Sequence, residues 1–152
     1  MKRIVLFIML CVAFAACKKD HPATQPMAQG GILGKWAIRS VITIGRDTAG
    51  KEISNGEHVY NISPGEYFQF NANGTWMESI LPDSIPGIGI FGNYVINSAA
   101  SFTLKNSNPD ASEEVCTISA LSQSSLVFSH QRSTTFNGVI PGYIEYIFNL
   151  AK

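Results

Sequence analysis

Apolar and polar residues alternate along most of the chain after residue 30, and this alternation predicts a series of short β-strands. Turn-forming residues separate the alternating runs, and no convincing helical period interrupts them. We therefore expect an all-β domain of antiparallel strands, either an up-and-down barrel or a sandwich. The predicted strands cover residues 33–44, 57–62, 67–70, 75–80, 91–96, 101–104, 114–120, 126–131 and 143–150.

The first predicted strand is long enough for its two faces to be distinguished. Strict alternation places Trp36 and Ile38 on one face together with Ile42 and Ile44, while charged and hydroxyl side chains occupy the other. We expect the apolar face to point into the domain.

The clearest hairpin surrounds residues 71–74, Asn-Ala-Asn-Gly. A type I turn with the glycine in the left-handed region would pair Phe70 with Trp76. In that register Phe68 and Glu78 share the inner face with these two aromatic side chains. A slip of one residue would turn Glu78 to solvent instead, and the sequence leaves both registers open.

The first 17 residues follow a different pattern. Lys2 and Arg3 precede an apolar run over residues 4–14, which is shorter than the roughly 20 residues that a transmembrane helix needs. A basic start, an apolar middle and small residues before a cysteine are typical of a secretory signal peptide. Residues 14–17, Phe-Ala-Ala-Cys, resemble the lipobox of bacterial lipoproteins, in which the cysteine thiol is joined to a diacylglycerol. Alternatives are an ordinary signal peptide cut after Ala16 or an uncut hydrophobic anchor.

The lipobox resemblance implies three parts of the chain and a location. Residues 1–16 would be the signal peptide, and residues 17–30, with two prolines and no apolar periodicity, a disordered tether lipidated on Cys17. Residues 31–152 would form the folded domain. We expect an acylated, palmitate-bearing outer-membrane lipoprotein of the cell envelope, on the periplasmic face or the cell surface. Its membrane partner would be reached through the lipid on Cys17.

The charge and the cysteine content of the chain limit the functions that it can have. Without residues 1–16 the chain keeps nine basic residues against 11 acidic ones, so it lacks the basic field that nucleic acid requires. Cys11 would leave with the signal peptide and Cys17 would carry lipid, which leaves Cys116 without a disulfide partner. Because Cys116 lies in a strand-like alternation, we expect an inert core residue rather than a catalytic thiol.

Catalytic and metal-binding patterns are missing from the sequence. His58 and His130 have no second histidine or cysteine at metal-ligand spacing. We find no nucleophile elbow, no Ser/His/Asp arrangement and no phosphate-binding glycine loop. We therefore expect a protein without enzymatic activity, metal or cofactor.

Several short motifs occur in the order found in one known family. Gly34-Lys35-Trp36 opens the first strand, and Phe68-x-Phe70 and Gly92-x-Tyr94-x-Ile96 follow. This set is similar to the lipocalin-like domains of bacterial surface lipoproteins and spans most of residues 31–152. The resemblance implies an up-and-down barrel of about eight strands that holds a small hydrophobic or amphipathic ligand. Two features depart from classical lipocalins, because no disulfide is possible and no arginine follows the last strand to stack on Trp36.

The interior of such a barrel is only just wide enough for side chains or one small ligand. We expect Trp36 to plug the closed end rather than contact ligand. The inward side chains that we predict to bind ligand are Ile38, Phe68, Phe70, Glu78, Tyr94 and Phe148. The alternatives are a solidly packed barrel that docks a protein or glycan through the apolar loop over residues 81–90, or one that acts as a spacer. No protein partner can be named from the sequence.

Overall fold

The computed structural model describes residues 31–53, 58–60, 62–79 and 89–152. Cys17, the predicted signal peptide and tether, and most of the apolar loop over residues 81–90 lie outside the described residues. None of the residues that are described belongs to a helix long and apolar enough to span a bilayer. The strands in this part of the chain are β1 (Gly34–Asp47), β2 (His58–Tyr60), β3 (Tyr67–Phe70), β4 (Thr75–Ser79), β5 (Gly89–Ser98), β6 (Ser101–Asn106), β7 (Glu114–Leu121), β8 (Ser125–Phe136) and β9 (Ile140–Ala151).

The strands form one antiparallel sheet that closes on itself. From β3 onward each strand pairs with the next along the chain, and β1 pairs with β3 on one side and with β9 on the other. Strands β1 and β3 to β9 therefore close an eight-stranded up-and-down barrel. The short strand β2 pairs with β1 further along, where Ile42 lies opposite Val59. The prediction of an all-β antiparallel barrel is confirmed, with the sandwich excluded.

A bulge in β1 changes which side chains face the interior. Ile38 lies opposite Leu150, but Ser40 lies opposite Asn149, so one extra residue is inserted in β1. After the bulge Val41 and Thr43 are buried, whereas Ile42 is only half-buried on the other face. The expectation that Ile42 and Ile44 share the inner face with Trp36 is therefore wrong.

The hairpin between β3 and β4 has the predicted register. Phe70 lies opposite Trp76, and the Asn71 amide donates a hydrogen bond of 2.8 Å to the Thr75 carbonyl. Gly74 has a φ of 82°, the left-handed conformation that a bulged type I turn requires.

The strands predicted over residues 126–131 and 143–150 are both longer in the structure. Strand β8 continues to Phe136, which lies opposite Ile140 at the start of β9. Residues 137–139 join the two strands, and Asn137 and Gly138 have φ angles of 51° and 70°. Two successive positive φ values, with Asn-Gly in the turn, are typical of a type I′ hairpin.

Side chains fill the end of the barrel where β1 begins and β9 ends. Trp36 is fully buried there, and its indole N–H donates a hydrogen bond of 2.7 Å to the Ile32 carbonyl. The ammonium of Lys152, directly after β9, lies 4.2 Å from the centre of a Trp36 ring. A lysine therefore covers the tryptophan in this closed end. Other side chains that are almost fully buried include Phe70, Phe102, Cys116, Leu126 and Leu150.

Candidate functional site: the cavity at the open end

The opposite end of the barrel contains a cavity of about 470 Å³. Pockets that bind small molecules commonly measure about 300–1,000 Å³. The apolar side chains of its floor are Phe68, Trp76, Leu104, Phe128 and Phe148. The polar side chains nearer the mouth include Glu78, Asn106, Asp110, Ser112, Glu114, His130 and Arg132.

The strands themselves produce this layered arrangement. Alternate residues of a strand point to the same face, so successive inward positions lie in successive layers, toward the mouth on β4, β6 and β8 and away from it on β9. On four strands the deeper position is apolar and the next one carries a polar group. These positions are Trp76 and Glu78 on β4, Leu104 and Asn106 on β6, Phe128, His130 and Arg132 on β8, and Phe148 and Tyr146 on β9.

Glu78 faces the interior, the first of the two orientations that the sequence leaves open. It lies opposite Phe68, which is 2% exposed, and both side chains line the cavity. Burial, together with the charges of Glu114 and Glu66, raises the pKa of Glu78 from 4.5 to about 7. Its carboxyl group has no hydrogen-bond or ion-pair partner among the described residues. Glu78 is therefore a half-buried acceptor without a donor in this part of the chain.

His130 lies between aromatic rings on the cavity wall. The ring is 7% exposed and stacks on Tyr146, with 5.0 Å between the ring centres. Its Nε2 lies 3.6 Å from a carboxylate oxygen of Glu114, and Arg132 donates a hydrogen bond to the other oxygen. Burial lowers the pKa of His130, and the positive charge of Arg132 adds to this, while Glu114 opposes it. The imidazole is therefore neutral at neutral pH.

The other ring nitrogen of His130 lacks a partner. Its Nδ1 is buried and makes no hydrogen bond within the part of the chain that is described. Since Nε2 faces the Glu114 carboxylate, the single proton of the neutral ring belongs on Nε2, which makes Nδ1 an acceptor. An unsatisfied buried polar group of this kind costs about 1–3 kcal/mol of stability.

The cavity brings together half of the six predicted ligand-binding residues. Phe68, Glu78 and Phe148 line it. Ile38 and Phe70 are buried in the closed half and do not line it. Tyr94 contributes instead to a separate crevice beside the β3–β4 turn, where its hydroxyl donates a hydrogen bond of 3.0 Å to the Asn71 carbonyl.

The most polar part of the site was not foreseen from the sequence. The sequence pattern singles out His130 only as an isolated candidate metal ligand and gives no role to Glu114 or Arg132. The signal was present in β8, where Leu126, Phe128 and His130 alternate toward the interior and Arg132 continues the series. Because the predicted strand ended at residue 131, Arg132 fell outside it.

Cys116 lies beneath this polar group and is fully buried. Its thiol donates a weak hydrogen bond of 3.7 Å to the Glu114 carbonyl. Burial, followed by the charge of Glu114, raises the pKa of the thiol well above its usual range, so it remains protonated. Within the described ranges no three His, Cys, Asp or Glu side chains are grouped so that they could hold a metal ion.

No protein-family model matches this chain, and no curated protein is found to match its sequence. The functional argument therefore depends on the geometry and chemistry of the cavity.

Proposed function

We propose that this protein is a lipid-anchored envelope lipoprotein whose barrel binds a small hydrophobic or amphipathic molecule without catalysis. The observation that supports binding is the cavity of about 470 Å³ at one end of a barrel whose other end is filled by side chains. The Lys152 ammonium above Trp36 supports the resemblance, because an arginine takes this place in classical lipocalins. The protein would belong to the outer membrane, on its periplasmic face or at the cell surface.

The aromatic floor would supply most of the binding free energy. Each buried methylene group of a ligand contributes about 0.8 kcal/mol, and ring faces provide flat, rigid contact surfaces. Phe68, Phe128 and Phe148 form one packed group, with ring centres 4.9–5.4 Å apart. A rigid floor of this kind would not need to reorganise when a ligand binds.

A neutral apolar fluorophore, N-phenyl-1-naphthylamine, tests the binding role. The protein used is the chain from position 17 onward with Cys17→Ser, which contains every strand that is described. We expect saturable binding of one probe per chain with enhanced fluorescence. Ser112→Trp, at the cavity mouth, should weaken binding, whereas Ser107→Trp, exposed in the same β6–β7 connection, should leave it unchanged.

The opposite result would favour the other function class. If a folded chain binds no probe, or if both tryptophan variants bind equally well, the cavity is not the site. The module that docks a protein or glycan would then replace ligand binding as the proposed function.

The anchor has its own test. Acyl chains contribute about 0.8 kcal/mol per buried methylene, so several chains together hold a domain on a membrane. Growth with an alkyne-labelled palmitate should label the full-length protein, and Cys17→Ser should abolish labelling. Cys116→Ser is the matched control and should remain labelled, because the Cys116 thiol is fully buried. Label retained by Cys17→Ser would contradict the lipid attachment.

A further inference from the structure

The wall of the cavity offers a carboxyl group that has no hydrogen-bond donor. Glu78 lines the cavity, and its carboxyl group lacks a partner among the described residues. Arg132 is the cationic side chain of the described lining, and its guanidinium already donates to Glu114. A ligand that satisfies this wall must therefore bring hydrogen-bond donors of its own.

The mouth of the cavity also carries an excess of negative charge. Glu78, Asp110 and Glu114 line the cavity with Arg132 as their cationic counterpart, so carboxyl groups outnumber cations three to one among the described lining residues. An anionic head group would meet this excess of negative charge at short range. A cation would be attracted by it, and the aromatic rings that line the floor beneath would add to this attraction.

We propose that the ligand of this cavity carries a protonated primary or secondary amine, with its N–H groups directed at Glu78 and its apolar body on the aromatic floor. This inference deepens the proposed ligand-binding function and depends on it. The class of ligand is therefore an amphipathic amine.

Other polar head groups satisfy only part of the wall. A quaternary ammonium carries the charge but has no N–H to donate. An alcohol donates one hydrogen bond but carries no charge to balance the carboxylates. Charge-assisted hydrogen bonds are roughly twice as strong as neutral ones, so the protonated amine is the head group that the wall favours most.

Four dansyl amides with the same five-carbon linker test this proposal. Their free ends are an ammonium, a methyl, a trimethylammonium and a carboxylate, and their dissociation constants are measured by dansyl fluorescence at pH 8. We expect the ammonium probe to bind about tenfold more tightly than the methyl probe, as one charge-assisted hydrogen bond implies. The trimethylammonium probe should lie between these two, and the carboxylate probe should bind most weakly.

Two variants distinguish a direct contact between the ligand and Glu78 from the effect of negative charge further away. Glu78→Gln should remove most of the preference for ammonium over methyl. Glu113→Gln removes the same charge next to Glu114, but Glu113 is exposed, pairs with Lys105 at 2.7 Å and is not among the lining residues. It should leave the preference unchanged.

The outcomes distinguish failure of the amine proposal from failure of the ligand-binding function on which it depends. If the methyl, trimethylammonium or carboxylate probe binds as tightly as the ammonium probe, the amine proposal is overturned while ligand binding stands. An ammonium preference that survives Glu78→Gln also overturns it. If none of the four probes binds to the folded chain, ligand binding itself fails and the amine proposal fails with it.

Discussion

Replacing Glu78 with glutamine should make the empty barrel more stable at alkaline pH. In the folded protein, burial first and then the charges of Glu114 and Glu66 raise the pKa of Glu78 from 4.5 to about 7. Because the folded state binds this proton more tightly than the unfolded state, the carboxyl group opposes folding progressively as pH rises from about 4.5 to about 7. Glutamine keeps the shape of the side chain but has no proton to lose.

The magnitude follows from the pKa difference. The shift corresponds to a destabilisation of the folded state by about 3 kcal/mol above pH 7. We reduce this destabilisation to about 2 kcal/mol, because the half-buried carboxyl group still reaches solvent through the mouth. Glu78→Gln should thus raise the free energy of unfolding by about 2 kcal/mol at pH 8 and have little effect at pH 4.5.

Guanidinium chloride unfolding, followed by the fluorescence of the buried Trp36 and Trp76, measures this difference. His130 contributes with the opposite sign, because its lowered pKa gives stability that is lost as pH falls through its usual value of 6.5. That contribution is common to both proteins and cancels when they are subtracted. Equal stabilities of wild type and Glu78→Gln at pH 8 would refute the reasoning, as would a difference between the two proteins that does not grow from pH 4.5 to pH 8.

Two further predictions concern the barrel itself. Gly92→Ala should lower the free energy of unfolding, measured by urea titration, by about 1–3 kcal/mol or more, because a Cβ there would overlap the Lys105 carbonyl. Asn93→Ala changes the exposed neighbouring residue and is the control in the same titration. Cys116 should resist alkylation by iodoacetamide in the folded protein and react rapidly in urea, since its thiol is fully buried and protonated; rapid alkylation under native conditions would contradict this.

The fold was predictable because its signals are local. Alternation identified the strands, and the Asn-Ala-Asn-Gly turn suggested the observed register that pairs Phe70 with Trp76, although the sequence left a slip of one residue open. The bulge in β1 was not predictable, because alternation carries no mark of an inserted residue, and a single insertion reverses every later position. Ile42 and Ile44 were therefore placed on the wrong face.

The candidate site was predictable only in part. Glu78 followed from a turn within its own hairpin, whereas Glu114, His130 and Arg132 meet through pairing between β7 and β8 and their position near the mouth. Sequence alternation indicates which residues point inward but not how deep each one lies. It therefore could not separate Phe70, in the packed half, from Phe68, at the floor of the cavity.

The pairing of β1 with β9 also determines when the barrel can close during folding. Ile38 and Leu150 become neighbours only after the last strand is available, so closure joins segments separated by almost the whole domain. Contacts of such long sequence separation form late and slow folding. A chain that has emerged only as far as β8 would expose the edges of β1 and β8, both open to pairing with another chain. Synthesis must therefore deliver β9 before this domain can protect itself.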